Sequence, residues 1–219
     1  MKGLLFDLDG TLVDNMMVHH LAWQQLLREL GLDYTIERVK DEIHGVNMEI
    51  LVRLFGDRFT EKERQALANK KEAEYRRIFA SQLKPVPGAL EFIERAYQLN
   101  IPMAIATAAP PENAEFVLEG LDFRRWISAL VHSDMVTHGK PNPEVIEKAA
   151  AAIGVPLKDC LYFEDSVTGA QTGANGGVPT VVITTTHQPE EFEGIKEIIS
   201  FQKDFADLWI NDNRKLIIK

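Results

Sequence analysis

Gly3-Leu4-Leu5-Phe6-Asp7-Leu8-Asp9-Gly10-Thr11 is the stretch on which the reading of this chain turns. An apolar run over residues 3–8, broken only by Asp7, ends in a second aspartate and an Asp-Gly turn. A strand buried on both faces is apolar at successive positions, because neither side of it meets water. Residues 102–107, 129–133, 160–164 and 180–184 have the same character, each bounded by Gly, Pro, Asp or Asn. Helical signals lie between them. Leu90, Ile93, Ala96 and Tyr97 recur at helical spacing, and Asn142-Pro143-Glu144 reads as an N-cap, a first-turn proline and an early acid. This alternation predicts an α/β fold whose parallel sheet is covered by helices on both sides.

Residues 15–84 contain no comparable strand. Helices are expected over residues 18–30, 36–43, 48–55 and 60–79, the last opened by Thr60 and Glu63 at capping-box spacing. Pro85 and Pro87 then break the pattern. The segment reads as a helical insert after the first strand. With 219 residues, the chain is long for one compact domain and short for two full ones, which suits a core plus a smaller insert.

The composition, 45% hydrophobic and 26% charged, is that of a globular protein, and a net charge of −9 argues against a nucleic-acid partner. It does not argue against a small anion, since a metal ion and a lysine reverse the sign locally. The single cysteine, Cys160, excludes an intrachain disulfide. No apolar run approaches the roughly 20 residues of a membrane helix. With no targeting segment visible either, a cytoplasmic monomer is the expectation.

In an open parallel sheet, ligands bind beyond the carboxyl ends of the strands. Asp7 and Asp9 follow the first strand, Thr107 ends the second, Lys140 lies in the loop after the third, and Glu164-Asp165 end the fourth. Taken singly, each has a plain reading. Asp-Gly is a turn dipeptide, Thr107 a strand end, Lys140 a surface charge, and Glu164-Asp165 favourable acids before a helix. A calcium loop opening at Asp7 fails, because Leu12 and Val18 stand where its glycine and glutamate belong. Converging on one edge, the groups fit phosphoryl transfer. The carboxylate of Asp7 attacks phosphorus, and Asp9 serves as general acid and base. Asp7 and Asp165 hold a magnesium ion, with Glu164 beside them, while Lys140 and Thr107 meet the phosphate oxygens. Gly169, Gly173, Gly176 and Gly177 form no dinucleotide fingerprint and read as a small-residue helix face packed on the sheet.

Phe6-Asp7-Leu8-Asp9-Gly10-Thr11-Leu12 resembles the first motif of haloacid dehalogenase-superfamily phosphatases. Ala104-Ile105-Ala106-Thr107, Gly139-Lys140-Pro141-Asn142-Pro143 and Phe163-Glu164-Asp165-Ser166 resemble the second, third and fourth. The resemblance implies a Rossmann-like doubly wound core, residues 1–14 and 85–219, with an α-helical cap, residues 15–84. It further implies a magnesium cofactor at Asp7, Asp9, Glu164 and Asp165, phosphate contacts from Thr107, Ala108 and Lys140, and a small phosphorylated metabolite as partner. The subgroup it is most similar to is that of β-phosphoglucomutase and related sugar-phosphate phosphatases. There, His19 and Lys71 match cap residues that serve the acid/base aspartate and the substrate. The mutase's second-phosphate ligands correspond to Met48, Ala109 and Pro111, none of which imitates an arginine clamp. Hydrolysis therefore ranks above mutase activity, and a non-catalytic binding module ranks last because the constellation is complete.

Overall fold

The computed structural model describes residues 1–218. The chain opens with β1 (Gly3–Phe6), then runs through four helices, α1 (Met16–Glu29), α2 (Ile36–Glu42), α3 (Asn47–Phe55) and α4 (Glu61–Phe79). Alternation follows: α5 (Ala89–Gln98), β2 (Met103–Ala106), α6 (Pro111–Gly120), β3 (Ala129–Val131), α7 (Glu144–Ala152), β4 (Cys160–Glu164), α8 (Val167–Gly176) and β5 (Thr180–Ile183). Three further strands come last, β6 (Ile198–Gln202), β7 (Leu208–Ile210) and β8 (Leu216–Ile218). The residues form two compact units, an α/β unit of Met1–Asp14 with Leu83–Lys219 and a helical unit of Asn15–Gln82.

In the α/β unit six strands form one parallel sheet in the order β3-β2-β1-β4-β5-β6. The first strand thus lies at its centre, paired through Phe6 with Ile105 on one side and Phe163 on the other. Side chains alternate across it, as the strand period requires. Leu5, Ala104 and Tyr162 pack with Val145, Ile146 and Ala149 of α7. Phe6 faces the opposite way, stacked on Phe163 at 5.0 Å and grouped with Phe92 of α5 and Phe205. Both faces are covered, which explains the unbroken apolar runs of β1, β2, β4 and β5. Strands β1, β2, β3 and β5 end one or two residues before their apolar runs do, and β4 ends with its run at Glu164. The order in which strands are added reverses at the β1–β4 pair, the place where open α/β sheets hold ligands.

Two details depart from the expectations. Helix α7 opens at Glu144 with Pro143 as N-cap, so the proline precedes the first turn. Asn142 still takes part: its Oδ1 accepts from the Glu144 N–H at 3.0 Å. On α5 the buried face is Ala89, Phe92, Ile93 and Ala96, and Tyr97 is exposed.

The helical unit has its own core of Trp23, Leu26, Leu27, Tyr34, Val39, Ile43, Ile50, Leu51 and Ala68. The Thr60–Glu63 capping box is formed in both directions at the start of α4. No helix among the described residues is long and apolar enough to cross a membrane.

Candidate active site

Asp7, Thr107, Glu164 and Asp165 of the α/β unit stand where strands end. The β1–β4 ladder continues one step past the strand, the Asp7 N–H donating to the Phe163 carbonyl at 2.9 Å, so Asp7 is fixed beside Glu164 and Asp165. The three carboxylates each offer an oxygen within 4.8 Å of the others, and all three residues are buried. Lys140 reaches them from the loop before α7. Its Nζ donates to Asp7 Oδ1 at 2.6 Å and to Glu164 Oε1 at 2.7 Å. The ammonium also lies 5.6 Å from the ring centre of buried Tyr162, within cation–π range.

Three acids and one ammonium in a buried place leave an excess of negative charge. Burial, opposed by Lys140 and reinforced by Glu164, pushes the Asp7 carboxyl up to about 7. Burial together with Glu164 and Asp7 raises Asp165 well above the ordinary carboxylate range. Burial depresses the Lys140 ammonium, but Asp7 and Glu164 outweigh it and hold its proton firmly. Such a cluster of hard oxygen donors suits a divalent cation, which removes the excess charge.

The remaining side chains are placed by small local devices. Glu164 Oε2 accepts from the backbone N–H groups of Asp165 and Ser166, so its carboxylate is tied back to its own strand end. Room for it comes from Gly169 in the first turn of α8, where a Cβ would overlap the Glu164 carboxyl. The small-residue face expected on α8 therefore clears space for a site carboxylate as well as for the sheet; Gly173 does the latter against Thr180. Gly10, at φ +85°, lies against Asp165, whose Oδ1 accepts from Thr11 Oγ1 at 3.4 Å and whose Oδ2 accepts from Thr186. Glu144 holds the loop that carries Lys140. It accepts from the Thr137 and His138 N–H groups at 3.0 and 2.9 Å and from Lys148, and these bonds draw its carboxyl down to about 2.

Thr107 is buried at the end of β2, its hydroxyl accepting from the Ala109 N–H at 3.1 Å, and Ala108 beside it is exposed. Asp9 is half-buried, and its carboxylate is not a member of the Asp7–Glu164–Asp165 cluster. In the helical unit, Lys71 Nζ lies 2.8 Å from His19 Nδ1 and 2.9 Å from Glu72 Oε1, which also accepts from Asn47 at 2.6 Å. The His19 ring stacks on Tyr75 at 3.9 Å. His19 and Lys71, each expected from sequence as a cap residue, share one partly buried polar cluster. Glu72, Glu144, Gly169 and Thr186 were not singled out as site residues from sequence. Gly169 carried a signal in the glycine spacing, whereas Thr186 carried none.

The sequence pattern of the haloacid dehalogenase-like hydrolases matches residues 1–177. The chain is 30% identical over 179 residues to the fructose-1-phosphate phosphatase YqaB of Escherichia coli (strain K12), spanning 82% of this chain and 94% of that one. It is 27% identical over 187 residues to a beta-phosphoglucomutase of Bacillus subtilis (strain 168), 81% of each chain being covered. Among solved structures, a family IA, variant 3 HAD hydrolase from Entamoeba histolytica HM-1:IMSS superposes with a TM-score of 0.88 over 97% of both chains. At 24% identity that likeness is one of fold.

Proposed function

Because the chain belongs to the haloacid dehalogenase-like hydrolase family, we propose that it is a magnesium-dependent phosphatase that hydrolyses a small sugar phosphate through an aspartyl-phosphate on Asp7. The observation that carries this reading is Lys140 bonded to both Asp7 and Glu164 at the edge where Asp165 also lies. A phosphate group needs both a nucleophile and compensation of its charge, and this arrangement supplies the two within one hydrogen-bond length.

The Asp7 carboxylate attacks phosphorus, and the bond from phosphorus to the sugar oxygen breaks. Asp9 gives its proton to the departing oxygen and then takes one from the water that cleaves the aspartyl-phosphate, releasing inorganic phosphate and restoring Asp7. Lys140 neutralises phosphate oxygens, and the Thr107 hydroxyl with the Ala108 N–H donates hydrogen bonds to them. Asp7, Glu164 and Asp165 would hold the magnesium ion, with Asp9 as the further residue that the sequence assigns to it. When bound, that ion supplies the positive charge that lets one anion approach another. The helical unit, residues 15–84 by sequence, is read as the cap, and His19 and Lys71 are its residues for the acid/base step and the substrate.

Water is favoured over a sugar hydroxyl as acceptor by three residues. Met48 packs on the apolar core of the helical unit, Ala109 is buried and Pro111 opens α6, so none offers a hydrogen bond to a second phosphate. Incubation with magnesium and fructose 1-phosphate or β-glucose 1-phosphate, with and without a bisphosphate primer, separates the two acceptors. Inorganic phosphate is the expected product, and primer-dependent isomerisation as the dominant reaction overturns the phosphatase reading. Asp7→Asn is expected to lower kcat by at least about a thousand-fold, as loss of a nucleophile does in other enzymes. Chelation of the metal is expected to abolish turnover.

A further inference from the structure

The loop after β5 lies outside the four motifs, yet it meets the site at two points. Thr186 Oγ1 donates to Asp165 Oδ2, and Thr185 Oγ1 donates to the carbonyl of Gly10. Thr11, from the β1 loop, donates to the other Asp165 oxygen at 3.4 Å. Gly10 makes the meeting possible: a Cβ at this position would overlap Asp165 Oδ2 and crowd Thr186 Oγ1. Three chain segments, from β1, β4 and β5, are thus joined around one carboxylate.

We propose that Thr186 is a positioning residue for the divalent-metal site, fixing the plane of the Asp165 carboxylate from the side opposite Thr11. A carboxylate has two oxygens with about four acceptor sites. The two hydroxyls use one on each oxygen and leave acceptor capacity for a cation. A carboxylate free to rotate gives up that freedom each time a metal binds, whereas one held by two donors has already given it up. Groups that orient metal-binding carboxylates typically govern affinity by about ten- to a hundred-fold. Thr185, bonded to the Gly10 carbonyl, keeps the loop itself from drifting away. This inference rests on the metal-dependent reading above, and its test requires no turnover.

The experiment is calorimetric titration of magnesium into the metal-stripped full chain, for the parent, Thr186→Val and Thr186→Ser. Thr186→Val is expected to weaken magnesium binding by about ten-fold or more, and Thr186→Ser, which keeps the hydroxyl, to restore it to within about two-fold. Equal affinity of parent and Thr186→Val overturns the proposal, as does a parent that binds no magnesium. Thr186→Ala repeats the comparison without a branched side chain. If both hydroxyl-free variants lose affinity only together with a lowered metal-free melting temperature, the hydroxyl serves the fold alone and the proposal fails. A parent that binds magnesium with the expected Thr186 dependence but hydrolyses no phosphate ester sinks the phosphatase reading and leaves this one standing.

Discussion

Burying Asp7, Glu164 and Asp165 beside a single ammonium group makes the α/β unit sensitive to pH in a definite direction. With its carboxyl raised from 3.8 to about 7, metal-free folded protein keeps a proton on Asp7 that the unfolded chain has already released. Between those values the folded state binds more protons than the unfolded state, so stability falls as pH rises. The contribution is fully present below about pH 4 and gone above about pH 7, and it is on the order of a few kcal/mol. Melting of metal-stripped protein is expected at progressively lower temperature from pH 5 to pH 8. Saturating magnesium should remove most of the decline, and Asp7→Asn should make the metal-free curve shallower. A flat metal-free curve contradicts the buried anionic cluster. Asp7, Glu164 and Asp165 could be read in advance because each stands at or next to the end of a buried apolar strand. Thr186 could not: it follows Thr184 and Thr185 at a strand end, and nothing in its spacing distinguishes a hydroxyl aimed at Asp165 from one facing water.

Among the elements, α8 shows how packing overrides propensity. Replacing glycine by alanine inside a helix ordinarily stabilises by about 0.5–1 kcal/mol. At Gly169 the added Cβ runs into the Glu164 carboxyl, which is itself tied to two backbone N–H groups and to Lys140. Gly169→Ala is therefore expected to lose about 1–3 kcal/mol, the usual range for overpacking, and to lower activity with it. Gly176→Ala, near the end of the same helix, meets chiefly the flexible tip of Ile146 and is expected to be close to neutral in thermal unfolding. The same contest explains which elements were legible. Strands β1, β2, β4 and β5, buried on both faces, left unmistakable runs. Helix α6 did not, because Pro110-Pro111 reads as a loop until Pro111 is seen as a first-turn residue. Strand β6 alternates half-buried with exposed residues at the sheet edge, and β7 and β8 are three residues each. Half-exposed alternation hides β6, and β7 and β8 are too short to announce themselves.

For the molecule as a whole, the helical unit has an apolar core of its own, in which a single substitution can be followed. Leu27 is fully buried in the helical core, and Leu27→Ala is expected to cost about 2–5 kcal/mol there. Hydrogen exchange should accelerate across residues 15–82, while magnesium titration of the Asp7–Glu164–Asp165 cluster stays within about two-fold of the parent. Loss of metal binding in step with exchange would show that the units unfold together. The place of β1 in its sheet has a bearing on synthesis as well. Its partners, β2 and β4, lie roughly 100 and 160 residues further along. At about 5–20 residues per second, a ribosome takes roughly 5–20 s to reach the first of them and longer to reach the second. Through that interval the helical unit can be completed, while the strand that leads into Asp7 waits with both edges open. A nascent chain stalled before residue 160 would therefore present an adhesive, inactive species. Newly made enzyme should gain its metal site in a single late step, when the fourth strand closes the gap beside the first.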